Sequence, residues 1–374
     1  MRPFDGHVFM LGAEALSNTI DFGDLVNLAN DSTVGKGISN RIRNGGAYVQ
    51  DEFTLLDRFH IVPGVRLDYH TVFGFALSPK LGISAKVNEK VRVRSSLGRA
   101  FRAPNHTELF MPPLPLKDNI TLVSNPDLKP EYVWAADGGV DVFPIANIKL
   151  QWGVFYNNMR DLIGQGIKPE IYMENDSLKF AALVTHENIS SAWSAGSEFE
   201  VEWRILSGFT VRSGYVFQQS RNESASEVAA LFKRIFGSLS EVADTNIALD
   251  YIPAHKANIS VSFTKSLYGI KFAISGDEIF VGTRTFQNFG QIKLDTTRTG
   301  RKELILNQRS EVIANPPLAR MASYFRTDLL LRCDFNNHFW ATVAFQNLLN
   351  AQYEENFSTL APGRLTTIKL GVRF

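Results

Sequence analysis

Side chains alternate between apolar and polar through most of this sequence, and that period of two limits what the chain can fold into more than any other feature does. Successive side chains of a strand point to opposite faces, so such a stretch suits a sheet with a nonpolar medium on one side and water on the other. Near the end of the chain Ile368, Leu370, Val372 and Phe374 share one face, against Lys369, Gly371 and Arg373. Leu77, Pro79, Leu81, Ile83, Ala85 and Val87 oppose Ser78, Lys80, Gly82, Ser84, Lys86 and Asn88. Val91, Val93, Leu97 and Phe101 oppose Arg92, Arg94, Ser96 and Gly98. Trp193, Ala195, Phe199, Val201, Trp203 and Ile205 oppose Glu198, Glu200, Glu202 and Arg204. Three glutamates on one face are too many for a dry core. A soluble β-sandwich also alternates, with its charges outside, so the pattern alone leaves sandwich and barrel both open.

Connection lengths separate the two. The pattern predicts fourteen strands, at 7–18, 44–54, 59–70, 75–87, 91–103, 130–143, 147–162, 180–205, 209–220, 255–265, 270–288, 321–335, 339–348 and 365–374. Tight connections at Leu55 to Arg58, Asn88 to Lys90, Pro144 to Asn147, Leu206 to Gly208, Ser266 to Gly269 and Asn336 to His338 alternate with mostly long ones, including 19–43, 104–129, 221–254 and 289–320. The exception is 71–74, short where a long connection is due. Transmembrane barrels join strands by short turns on one side and long loops on the other, whereas loops this long are uncommon in compact soluble domains. The expected fold is therefore all-β, a transmembrane antiparallel β-barrel with about fourteen strands present. Inside 221–254, Val228, Leu231, Phe232, Ile235, Phe236 and Leu239 recur at helical spacing, predicting a short amphipathic helix between Ser226 and Glu241.

Composition narrows the function. The chain is 44% hydrophobic and 21% charged, and no run approaches the roughly 18 apolar residues of a spanning helix. Any membrane crossing must use strands. Lys plus Arg (39) nearly equals Asp plus Glu (38), which leaves no basic stripe for nucleic acid. The single cysteine, Cys333, rules out an internal disulfide and a Cys-based metal site. The sequence contains no Gly-x-Ser-x-Gly elbow, His-Glu-x-x-His helix, P-loop or dinucleotide fingerprint. No catalytic residue, metal ligand or cofactor is expected.

Several motifs, in order, resemble the TonB-dependent receptor family over Ala47 to Phe374. They are Ala47-Tyr-Val-Gln-Asp-Glu-Phe with Pro63-Gly-Val-Arg-Leu-Asp-Tyr, Leu77-Ser-Pro-Lys-Leu-Gly, and Gly98-Arg-Ala-Phe-Arg-Ala-Pro-Asn-His-Thr-Glu-Leu-Phe. There follow Asn125-Pro-Asp-Leu-Lys-Pro-Glu, Ala195-Gly-Ser-Glu-Phe-Glu-Val-Glu-Trp, Asn347-Leu-Leu-Asn-Ala-Gln-Tyr and Pro362-Gly-Arg. The Asn-Pro and Lys-Pro steps restrict the backbone and read as fixing the return of a long loop into the sheet. Phe374 resembles the terminal aromatic that the barrel-assembly machinery recognises, and an interfacial girdle residue fits it equally.

What the resemblance implies is a cell outer-membrane receptor of a Gram-negative bacterium. It would take up a scarce nutrient as a metal chelate or similar ligand, of the ferric-siderophore, haem or cobalamin class, with energy from the TonB complex. Members carry a 22-stranded barrel and an N-terminal plug, so residues 1–374 are expected to be the C-terminal portion of a barrel, from a fragment, split gene or degraded copy. TonB would act only through the missing plug. The opening Met1-Arg-Pro-Phe-Asp-Gly has no signal-peptide pattern. Ligand would be captured at strand tops and loops, which puts Phe101, Arg102, His106, Phe110, Phe286 and Asn288 forward as contacts, with girdle packing or loop folding the alternative for each. Two other readings are a stand-alone passive pore of about fourteen strands and an outer-membrane barrel enzyme. The latter has no supporting constellation of nucleophile and base.

Overall fold

The computed structural model describes residues 6–23, 25–27, 32–35, 38–117, 120–174, 177–223, 248–249, 251–287, 293–295, 303–305, 318–335, 338–356 and 359–372. Fourteen strands form one wall in chain order. They are β1 (His7–Phe22), β2 (Ile38–Leu55), β3 (Phe59–His70), β4 (Gly74–Asn88), β5 (Val91–Arg102), β6 (Glu131–Ile145) and β7 (Ile148–Glu174). The rest are β8 (Ser177–Leu206), β9 (Phe209–Asn222), β10 (His255–Leu267), β11 (Ile270–Val281), β12 (Tyr324–Asp334), β13 (Phe339–Gln346) and β14 (Leu365–Val372). Every neighbouring pair in the wall is antiparallel. Among the described residues β1 and β14 each have one neighbour, so the wall has two edges.

Tight turns gather at one end. Leu267 pairs directly with Ile270, leaving Tyr268 and Gly269 as a two-residue connection with φ of +50° and +81°. That left-handed pair is what a type I′ turn needs to match strand twist. The long connections, including those leaving β1, β5, β9 and β11, lie at the other end, where Thr71 to Phe73 and residues 175–176, at the tip of the β7–β8 hairpin, are short ones.

Three boundaries differ from the sequence reading. β7 and β8 continue past 162 and before 180, paired from Leu162↔Ile189 to Glu174↔Ser177. Beyond the wall neither face needs to be apolar, so pairing persists where alternation fades. The predicted strand 270–288 is two strands, β11 and Arg284–Gln287; the chain breaks at Gly282, whose N–H donates to His255 O at 2.8 Å. Arg284–Gln287 pairs instead with Leu318–Met321, which the reading had partly assigned to the wall strand at 321–335. The first long connection shrinks because β1 runs to Phe22 and β2 starts at Ile38. The helix predicted between 226 and 241 lies outside the described residues.

The wall is two-faced. Cross-strand partners share a face, and Leu67↔Leu77, Trp152↔Phe199 and Ile274↔Leu331 stand together on the outward one. Each of these six side chains is 37–50% exposed. Apolar residues of this kind recur on every strand from β3 to β12, far beyond the few hundred Å² that soluble monomers leave open. Charges line the opposite face. Arg66 Nε donates to both oxygens of Asp68 at 2.9 Å and its Nη2 reaches Glu14. Arg94 bonds Asp141, which also accepts from Gln151 Nε2 at 3.0 Å, and Glu202 holds Arg204 and Arg212 at 2.9 and 3.0 Å. Among the described residues fully buried apolar side chains are few, and Ile42, Leu109 and Leu128 cluster at the long-loop end.

Candidate functional site

At that end β5 stops at Arg102 and the chain turns into the mouth of the wall. Asn105 caps a one-turn helix, α1 (His106–Phe110): its side-chain oxygen accepts from Glu108 N at 2.8 Å while Glu108 Oε2 accepts from Asn105 N at 2.8 Å. This is the reciprocal capping box that Asn-x-x-Glu encodes. Leu109, 1% exposed, packs with Ile42 of β2 and Leu128, and Val72, Phe110 and Ile163 surround them. The helix is thereby held against the inner side of the wall.

The loop returns through Asn125 to Pro130, and its asparagine does three jobs. Asn125 N donates to Glu108 O at 2.8 Å, its Nδ2 donates to His186 O at 2.9 Å, and its Oδ1 accepts from Asp127 N at 3.0 Å. Asn188 of β8 completes the anchorage, accepting from Lys129 N and donating to Lys129 O, both at 2.9 Å. The short strand Ile120–Val123 then runs parallel beside Ala182 to Thr185, extending the sheet above the wall.

The six proposed contact residues fall in different places. Arg102 is clamped: Nε and Nη2 each donate to Glu131 at 2.7 Å, and Nη1 reaches Glu108 at 3.2 Å. His106 opens α1, and its buried Nε2 has no hydrogen-bond partner among the described residues. Close by, His70 is 5% exposed, stacked on Phe73 at 4.4 Å, and accepts from Val72 N at 3.2 Å. Phe110 packs at the edge of the buried cluster. Phe101 stands on the outward set with Val93 and Leu97, its ring 5.8 Å from Phe73. Phe286 lies on the short strand opposite Ala319. Asn288 and Phe374 lie outside the described residues.

Arg102, His106 and Phe110 thus come together, whereas Phe286 lies apart on the short strand Arg284–Gln287, whose first residue anchors a second rim cluster. There Arg284, 6% exposed, donates to Glu354 O at 2.6 Å and Glu355 O at 3.0 Å. Its guanidinium lies over the Tyr324 ring at 5.4 Å, and Tyr324 stacks on Tyr353 at 4.0 Å. Sequence reasoning missed Glu131, Glu108 and His70. The Asn105-x-x-Glu108 spacing was a readable cap signal, but nothing local shows that Glu131, 29 residues on, closes over Arg102.

Comparison with known proteins agrees with this architecture. The profile of the family described as TonB dependent receptor-like, beta-barrel matches residues 5–350. The chain is 30% identical over 135 residues to a probable TonB-dependent siderophore receptor, PirA, of Acinetobacter baumannii, a match spanning 33% of this chain and 18% of that protein. It is 23% identical over 229 residues to the ferric enterobactin receptor of Pseudomonas aeruginosa, spanning 58% of this chain and 30% of that protein. The solved siderophore receptor PirA from Acinetobacter baumannii superimposes with a TM-score of 0.67 at 16% identity, covering 99% of this chain and 53% of that one. The chain therefore spans about half the length of the solved receptor and less of the curated relatives. With a fourteen-strand, two-faced wall and a family profile covering nearly all of it, this chain belongs to the TonB-dependent receptor-like β-barrel family.

Proposed function

We propose that this chain is the C-terminal part of the wall, with its loops, of a Gram-negative outer-membrane receptor that takes up a ferric siderophore. The observation that carries the reading is the wall itself: a continuous apolar outer face, a charged inner face, and long connections confined to one end. Water outside such a wall is excluded on energetic grounds, and lipid fits. Relatives named as siderophore and ferric enterobactin receptors favour a ferric chelate over haem or cobalamin. The remainder of the wall and a plug would come from outside these residues, and TonB would act through that plug. The barrel-assembly machinery would handle insertion. No reaction is assigned to the chain.

Ligand contacts are proposed at the mouth, at Arg102, His106 and Phe110, and Phe286 and Asn288 are kept as further candidates from the sequence. All three guanidinium nitrogens of Arg102 already reach Glu131 or Glu108, so His106 Nε2, buried and without a hydrogen-bond partner among the described residues, is the polar atom whose bonding capacity is unused there. The test is titration of the micelle-borne chain with ferric enterobactin, followed by tryptophan fluorescence. Saturable quenching that weakens several-fold in His106→Ala supports the reading; no quenching by this or by a ferric hydroxamate would sink it. A passive fourteen-stranded pore is the poorer reading, because β1 and β14 do not pair with each other among the described residues.

A further inference from the structure

Arginines on the two faces of the wall are treated differently. Seven on the inner face, from Arg66 on β3 to Arg332 on β12, reach a carboxylate. On the outer face, near the long-loop end, the register lines up a row across five strands. Arg99 of β5 stands opposite Trp134 of β6, Trp134 opposite Asn158 of β7, Asn158 opposite Trp193 of β8, and Trp193 opposite Arg221 of β9. Arg160, two residues beyond Asn158 on the same face, stands opposite Tyr132. Three guanidinium groups thus occupy alternate strands with aromatic rings between them, recurring roughly every 10 Å given a strand spacing of ~4.8 Å.

None of the three has a carboxylate partner among the described residues. Arg99 lies 4.0 Å over the Tyr132 ring and reaches only Leu77 O, at 3.4 Å. Arg221 Nε is buried without a hydrogen bond. Glu223, two residues on from Arg221, accepts from Ser191 Oγ at 2.6 Å. An unpaired cation beside an apolar band is expensive unless an anion meets it.

The height of the row identifies the anion. Trp193 and Trp203 share the outward face of β8 ten residues apart, about 34 Å along the strand at ~3.4 Å per residue. A tilt of ~35–45° reduces that to about 24–28 Å, which matches an apolar band of ~25 Å edged by aromatic girdles. Trp203 then marks the tight-turn interface and Trp193, with the arginines, the headgroup layer at the long-loop end. We propose that the Arg99–Arg160–Arg221 row binds the phosphate groups of an anionic lipid headgroup in that leaflet. Guanidinium forks match phosphate oxygens bidentately, and Trp and Tyr suit the same depth.

This inference rests on the membrane reading above, and the test separates the two. The delipidated full chain in neutral maltoside micelles is titrated, under native mass spectrometry, with diphosphoryl lipid A, with lipid A stripped of phosphate, and with phosphatidylcholine. Diphosphoryl lipid A should be retained at least tenfold better than the other two. In R99Q/R160Q/R221Q that preference should fall about tenfold with strand circular dichroism unchanged, and R160Q alone, at an exposed position, should lower it about threefold. Equal retention of the three lipids, or a triple variant that retains diphosphoryl lipid A as the parent does, overturns the proposal. Flotation with phosphatidylcholine vesicles reports the other reading: a chain that fails to float overturns both, and one that floats without phosphate preference overturns this one alone.

Discussion

At Glu131 three donors converge: Arg102 Nε and Nη2, and the backbone N–H of Ile163, each at 2.7 Å. The carboxylate is largely buried, at 14% side-chain exposure, so its loss leaves a guanidinium and an amide without partners. Glu131→Ala should therefore lower stability by roughly 2 kcal/mol, discounted for the half-exposed arginine, and Glu131→Gln by less. The check is a urea midpoint together with proteolysis of the 103–130 loop, which should quicken in the alanine variant; unchanged cleavage would show that the clamp is ornamental. Gly46 makes a second residue-scale case. A Cβ there would collide with the guanidinium of Arg66 and the carboxylate of Asp68, so glycine is what lets that ion cluster lie flat on the sheet. Gly46→Val should break it and reduce folding yield, while valine at the open site Gly276 should have less effect.

At the scale of a strand, face matters more than residue type. Val154 is outward and 45% exposed, paired with Ser197 about midway between the levels of Trp203 and Trp193, whereas Gln151 on the inner face bonds Asp141. Val154→Arg should cost about 2–4 kcal/mol when the wall folds into a bilayer, the range for a charge at mid-depth on a lipid-facing strand. Gln151→Arg, facing water and two acidic neighbours, Asp141 and Glu200, should cost much less. Folding titrations into vesicles measure both, and equal penalties would mean that the faces had been assigned wrongly. The β7–β8 hairpin shows the converse. Once above the band its strands stay paired to Glu174↔Ser177 without strict alternation, because water bathes both sides.

Among the described residues the whole wall has two edges and does not close into a ring. Each edge exposes a row of backbone N–H and C=O groups, which lipid cannot satisfy. In planar bilayers the chain alone should give no uniform conductance step. A single reproducible step would favour the stand-alone pore and would require β1 and β14 to meet.

Alternation in segments such as Leu77 to Asn88 was enough to place the strands of the wall and their number, but on its own it fitted a sandwich as well as a barrel. Turn residues such as Tyr268-Gly269, together with the uneven connection lengths, placed the two ends. Beyond these local signals the sequence was silent. Nothing near Arg102 announced Glu131, and nothing near Arg99 announced that Trp134, Asn158, Trp193 and Arg221 would fall in one line, since those contacts depend on the register between strands far apart in the chain. Period and turn chemistry belong to consecutive residues and can be read along the chain, but the partner of a side chain is set by which strands lie side by side and in what register, and that exists only once the sheet has formed.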